Sequence, residues 1–300
     1  MKNKNIGKWD ELVNLLPDKS GLRLKYVFSS LYRDGERTKK IDEIVGRAED
    51  TLKNLPNYEP LKFLRYFVLD CPPDSPVKRV LEAVRSWKEH VETAYLAPKV
   101  VAPTGGVPNP QQKNQGYLKP APLGIGAEDA WQHPGGEGQG QELVDLEGGW
   151  MLDHEDLVGP DRRGQPVPRK SAIIYGKNIG SCERHGTQVL GVICARDNLK
   201  GGKGIVANLS MVDLASHSDD SINIPEAIMF AAAGLTPRGV LLLETSFRWE
   251  EGGPIQPAEL DPLVFKEIQL ATAAGYVVVE AAGNGALDLD RYVDERIRAP

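Results

Sequence analysis

Hydrophobic positions in the first 95 residues recur at helical spacing, in four stripes separated by breakers. Leu24, Val27, Phe28 and Leu31 make the first, and Ile41, Ile44, Val45, Ala48 and Leu52 the second. Leu61, Leu64, Phe67 and Val68 make the third, and Val77, Val80, Leu81, Val84, Trp87 and Val91 the fourth. Asp34-Gly35, Pro56-Asn57 and the run Cys71 to Pro76 interrupt them, with Ser75-Pro76 reading as a helix cap followed by proline at the first helical position. With Trp9, Leu12, Val13 and Leu16 as a short opening helix, the pattern predicts a small all-α domain over residues 1–95. No residue in it has ligand or nucleophile spacing, and His90 reads as a solvated side chain. A helical module of this kind acts by binding, and an adaptor for a protein partner is the preferred reading.

Residues 96–116 shift to Pro, Gly, Gln and Asn and read as a semi-stiff linker. Beyond it the period changes. Glu142–Glu147, Ser171–Tyr175, Leu209–Ala215, Gly239–Thr245 and Tyr276–Ala281 read as strands. Helices are expected from His185, over Pro225–Ala233 and over Asp261–Ala274. Strands that alternate with helices, several of them continuous apolar runs, predict an α/β domain over residues 117–300, built on a doubly wound parallel sheet. Chemistry on such sheets sits outside the carboxyl ends of the strands.

Composition narrows the classes. Hydrophobic residues make up 41% of the 300, enough for ordinary cores. Net charge is −6 and no basic run stands out, which disfavours a nucleic-acid partner. No apolar stretch is long enough to span a bilayer, and no apolar run follows the charged start Met1–Asp10, so no signal peptide is expected. Three cysteines, Cys71, Cys182 and Cys194, suit a reducing compartment better than a disulfide scaffold, and a cytoplasmic location is expected. Cys182 lies three residues before His185, which raises a thiol nucleophile as an alternative.

Three polar groups fall at strand ends or helix mouths: Glu147 (with Asp145 two residues earlier), His185 and Asn284. An acid that fixes an imidazole tautomer, an imidazole that takes a proton from a nucleophile, and a carboxamide that donates to an oxyanion are the parts of an acyl-transfer site. Asp145 and Glu147 point to the same side of a strand, so either could face His185.

The motifs themselves resemble those of subtilisin-like serine peptidases. His185-Gly186-Thr187-Gln188-Val189-Leu190-Gly191 is similar to the family's histidine box. Leu123–Trp131 resembles the entry to the catalytic domain, and Leu152–Leu157 resembles the turn after the catalytic acid, with Glu155 in place of its proline and His154 structural. Tyr276–Gly285 resembles the strand and loop that supply the oxyanion asparagine and part of the wall for the substrate side chain. The resemblance implies a serine endopeptidase acting on polypeptide, with His185 as general base, Glu147 or Asp145 as its acid and Asn284 as oxyanion donor. It implies that extended peptide binds between Leu242–Ser246, including Thr245 and Ser246, and Ala281, Ala282 and Gly283.

Counting back from the Asp156-Leu157 turn places Glu147 at the acid position, with Gly149 on the family glycine. The family's Gly-Thr-Ser-x-x-x-Pro nucleophile box is absent from residues 1–300, so the domain reads as truncated before its serine and the chain alone as inactive. A degenerate domain that only binds peptide is the alternative. No His/Cys/Asp set has the spacing of a closed metal site, His133, His154 and His217 being scattered, and no cofactor is expected. Structural calcium on loop carboxylates such as Asp288 and Asp290 stays open.

Overall fold

The computed structural model describes residues 23–28, 35–55, 62–72, 74–97, 99–100, 114–157, 173–198, 200–218, 221–249 and 251–289. In chain order the elements are β1 (Arg23–Tyr26), α1 (Gly35–Leu52), β2 (Phe67–Asp70), α2 (Val77–Arg85), β3 (Lys99–Val100), α3 (Ala127–Ala130) and β4 (Glu142–Glu147). These are followed by β5 (Ile173–Tyr175), α4 (Glu183–Cys194), β6 (Met211–Ser216), α5 (Ile224–Gly234) and β7 (Val240–Leu243). The last are β8 (Ser246–Arg248), β9 (Gln256–Pro257), α6 (Pro262–Ala273) and β10 (Val277–Glu280).

The α/β expectation for the second part of the chain agrees with the structure. Five parallel strands lie in the order β10-β7-β4-β6-β5. Alternation along each strand sorts the side chains into two layers. Val144, Leu146, Leu241, Leu243 and Ala215 face one core, shared with α5 and α6. Leu143, Val212, Leu214 and Leu242 face the other, shared with Leu190 and Cys194 of α4. Two helix starts are capped by side chains. Asp261 accepts from the N–H groups of Leu263 and Val264 ahead of Pro262, and Asn223 accepts from Glu226 N ahead of Pro225.

The all-helical reading of residues 1–95 is corrected. The stripes at Ile41–Leu52 and from Val77 are helical, but β1 and β2 form an antiparallel pair where the first and third stripes stood. Both segments are short and rich in aromatic and β-branched residues, and four apolar positions do not separate a period of 3.6 from an extended run. Once paired, Tyr26 and Phe67 meet across the strands at 4.6 Å between ring centroids, and Lys25 bonds Asp70 at 2.7 Å. Leu31, Leu61 and the expected opening helix lie outside the described residues.

This N-terminal β-α-β unit lies on the second part of the chain rather than beside it. α1 packs against α5 and α6, with Ile41, Ile44 and Ala48 fully buried in the same core as Ala227, Ile228 and Ala231. Lys40 Nζ donates to Ala233 O, Arg47 Nη2 to Tyr276 Oη and Asn223 Nδ2 to Val27 O. The apolar stripe of α1 is therefore occupied within the chain. Part of the expected linker is also structured. β3 pairs antiparallel with β8, which pairs on its other side with β9.

Candidate functional site

Glu147 ends β4 at the carboxyl edge of the sheet, and the chain then turns through Gly148 and Gly149 toward Trp150. Neither glycine position has room for a side chain. A Cβ on Gly148 would lie 2.6 Å from Cys182 Sγ, and one on Gly149 would lie 2.5 Å from Ile179 O. The turn is locked to the start of α4. Asn178 accepts from Trp150 N at 2.7 Å and donates to Glu183 Oε1 at 2.8 Å, while Thr187 Oγ1 accepts from Met151 N at 2.8 Å. Gly186 lets the helix mouth approach, since a Cβ there would stand 2.3 Å from Gly149 O and 2.7 Å from the Trp150 ring.

This close seating brings His185 Nδ1 to 2.6 Å from Glu147 Oε1. Glu147 is buried, and the His185 side chain is 24% exposed. The hydrogen bond to Glu147 pushes the imidazole pKa up against the opposing effect of burial. Burial pushes the Glu147 carboxyl up as well, with the His185 bond opposing it. The two groups together therefore hold a proton firmly, and Glu147 fixes the ring with Nδ1 toward the acid.

Asp145 lies on the same face of β4 but meets a different partner. Its Oδ2 accepts from Trp150 Nε1 at 2.8 Å, and Trp150 is fully buried. Burial first, and the neighbouring Glu147 charge second, push the Asp145 carboxyl well above the usual range. The strand places both acids on one side, and the geometry joins only Glu147 to the histidine.

Asn284 is exposed in the loop after β10, at the same carboxyl edge. Gly283, at φ +84°, and Gly285 bring this loop onto the backbone of Ile255–Pro257. The segments read as a peptide cleft are partly closed to one another. β7 and β10 pair directly, and Ala281 N donates to Leu243 O at 3.1 Å. A strand therefore cannot enter between Leu242–Leu243 and Ala281, and beyond Thr245 the Ile255–Pro257 segment pairs with Ser246–Phe247 and lies against Gly283 and Gly285. Thr245 is buried, Ser246 is half-buried and pairs with Pro257, and Phe247 is bracketed by Val100 and Gln256.

Glu244 and His217, at this edge, had no functional signal in the sequence. Glu244 follows β7 beside Glu147, donating its N–H to Leu146 O. Its carboxyl is raised by burial and acts electrostatically on His185. His217 follows β6 and is buried with Nδ1 lacking a hydrogen-bond partner. Burial depresses its pKa to about 4, so the ring is neutral near pH 7. Cys182 is buried and its thiol pushed up by desolvation and by Glu147, which disfavours the thiolate that a nucleophile needs. His154 Nδ1 accepts from Asp156 N, the structural role expected of it. Among the described residues, no three His, Cys, Asp or Glu side chains group as metal ligands; Asp288 is exposed, and Asp290 lies outside the described residues.

No protein-family model matches the chain, and no curated protein matches it. Among solved structures, the chain is similar to fervidolysin from Fervidobacterium pennivorans, a keratinolytic enzyme related to subtilisin, at a TM-score of 0.42 and 15% identity. That match covers 86% of this chain and 39% of fervidolysin. It is also similar to the MycP3 protease of the type VII (ESX-3) secretion system, at a TM-score of 0.33 and 18% identity, over 62% of this chain and 52% of that one. The chain thus spans well under two thirds of either structure's length.

Proposed function

We propose that residues 117–300 form the acid–histidine part of a serine peptidase of the subtilisin type, with a nucleophile from outside residues 1–300. The observation that carries this reading is the 2.6 Å bond between His185 Nδ1 and Glu147 Oε1 at the carboxyl edge of a parallel sheet. With Nδ1 committed to Glu147, Nε2 is the atom that takes the proton of an attacking hydroxyl and returns it to the leaving amine. Asn284, on the same edge, supplies a donor for the oxyanion.

The uncovered part of the sheet supports a nucleophile-bearing element. Val277 and Val279 pair with Val240 and Leu242, so they share the α4 face, yet they are 49% and 47% exposed. Two valines side by side on a parallel sheet belong under a further layer. An element seated there would lie next to the His185 helix.

The N-terminal unit acts in this reading as an internal cover: its helix lies on α5 and α6, and its tail β3 pairs with β8 beside Thr245. Labelling with a serine-directed fluorophosphonate tests the whole reading. A polypeptide extending beyond residue 300 should label, and His185→Ala should abolish the labelling. Labelling that survives His185→Ala, or appears in the 300-residue chain alone, would overturn the assignment. A folded, extended polypeptide that never labels, yet binds peptide, would favour a binding domain without turnover.

A further inference from the structure

The loop that carries Asn284 rests on a segment that one carboxyl holds in place. Gly283 and Gly285 lie against the backbone of Ile255–Pro257, so closely that a Cβ on Gly283 would stand 3.2 Å from Gln256 C and one on Gly285 2.1 Å from Ile255 O. The same segment pairs with β8, Ser246 with Pro257 and Phe247 with Gln256. It then enters a turn of 3₁₀ helix, Ala258–Leu260, that leads through Asp261 into α6. Glu280, the last residue of β10, reaches this turn. Its Oε1 accepts from Glu259 N at 2.8 Å, and Ala258 N donates to the same carboxyl.

The strand register explains the reach. Glu280 pairs with Leu243, so its side chain lies on the face of the sheet that Leu243 shares with α5 and α6. Ala281 N donates to Leu243 O, which fixes the point where the loop leaves the sheet. Residues 280–285 therefore meet the neighbouring stretch twice, the glycines at Ile255–Pro257 and the carboxyl at Ala258–Glu259. An acid closing a run of three valines is costly to bury, and the two N–H donors offset that cost. We propose that Glu280 is a positioning residue for Asn284: through the Ala258–Leu260 turn it holds the surface on which the Asn284 loop rests, and so sets where the carboxamide stands. Naming Asn284 an oxyanion donor rests on the peptidase reading above; the hold on its loop does not.

The hold carries a proton that reports on it. Burial pushes the Glu280 carboxyl up to about 7, against the N–H groups of Glu259 and Ala258, and the Glu259 charge adds to the rise. Glu259 is the charged group that acts on it. Asp261, Lys266 and Glu267 at the start of and along α6, and Glu244 after β7, are the other titratable groups on the elements around it. The two N–H groups that the carboxyl accepts from sense its change of charge directly, and the Asn284 loop senses it through the turn.

The test is an NMR pH titration of the ¹⁵N-labelled 300-residue chain. The amides of Ala258, Glu259 and Gly283–Gly285, and the side-chain amide of Asn284, move together with a midpoint of about 7. Glu280→Gln keeps an acceptor oxygen but has no proton to lose, so the titration disappears while the resonances stay near their low-pH positions. Glu280→Ala removes the acceptor and displaces the Asn284 resonances at every pH. In a polypeptide that includes the nucleophile, Glu280→Ala lowers kcat toward the loss of about 10²–10³-fold that follows removal of an oxyanion donor, and Glu280→Gln restores it. Gly283–Gly285 amides that do not titrate in the unsubstituted chain would overturn the positioning role. So would a titration that persists in Glu280→Gln, since it would then belong to His185 and Glu147. The unsubstituted chain and Glu280→Gln decide the matter if Glu280→Ala fails to fold. Resonances that behave as expected beside an unchanged kcat would remove Asn284 from the oxyanion role and leave the hold standing.

Discussion

Glu147 Oε1 and His185 Nδ1 meet at 2.6 Å although 38 residues separate them in the chain. Asp145, on the same face of the same strand, is instead bonded to Trp150 Nε1 at 2.8 Å. Asp145 is thus engaged by Trp150 and Glu147 by the histidine.

The first prediction separates the two acids. In a polypeptide that includes the nucleophile, Glu147→Gln should lower turnover by about 10⁴-fold, the loss that an acid-to-amide change brings in a Ser-His-Asp triad. Asp145→Asn should leave turnover within about tenfold, because the amide oxygen still accepts from Trp150. In the 300-residue chain, Glu147→Gln should bring the His185 pKa back down, read by NMR titration. An unmoved His185 would remove Glu147 from the role.

Gly186 carries the approach of the two elements. Gly186→Ala should cost about 1–3 kcal/mol in chemical unfolding, the usual range for overpacking. It should also lower the His185 pKa, because separating α4 from the Gly149–Trp150 turn lengthens the bond to Glu147. A destabilised variant with His185 unchanged would show that the turn gives way instead of the helix.

Glu280 sets a pH dependence. Burial pushes its pKa from 4.5 to about 7, opposed by the N–H groups of Glu259 and Ala258. The folded state holds this proton more tightly, so its contribution to stability is full below about pH 4.5 and is lost as pH rises through 7. His217 runs the other way: its pKa falls from 6.5 to about 4, so its contribution is lost as pH drops through that window. Glu280→Gln should flatten the decline in melting temperature between pH 5 and pH 8. Parallel profiles for the two proteins would contradict the burial assigned to Glu280.

The docking of α1 is open to a direct stability measurement. Ile44 is 1% exposed in the core shared with α5 and α6. Ile44→Ala should cost about 2–5 kcal/mol in urea unfolding of the 300-residue chain. A cost of a few tenths would mean that α1 lies free of those helices in solution.

The five strands of the parallel sheet and the helices between them were legible from apolar runs bounded by breakers and from 3.6-residue stripes, whereas the short strands β8 and β9 were not read. The helices expected over Pro225–Ala233 and Asp261–Ala274 are kept within a residue at each end. The shorter stripes around Leu24 and Phe67 were not legible: four apolar positions suit either period, and the β1–β2 pairing bridges some forty residues of chain.

By itself, the sequence determined the alternation of strand and helix, the placing of His185 at a helix mouth, and the two acids on one strand face, because each follows from local period and spacing. Only the tertiary structure decided which acid meets the histidine, that Glu280 reaches the Ala258–Leu260 turn, and that the α1 stripe is covered from within. Those outcomes rest on contacts between segments far apart in the chain, set by how closely glycines let backbones approach and by where one tryptophan packs.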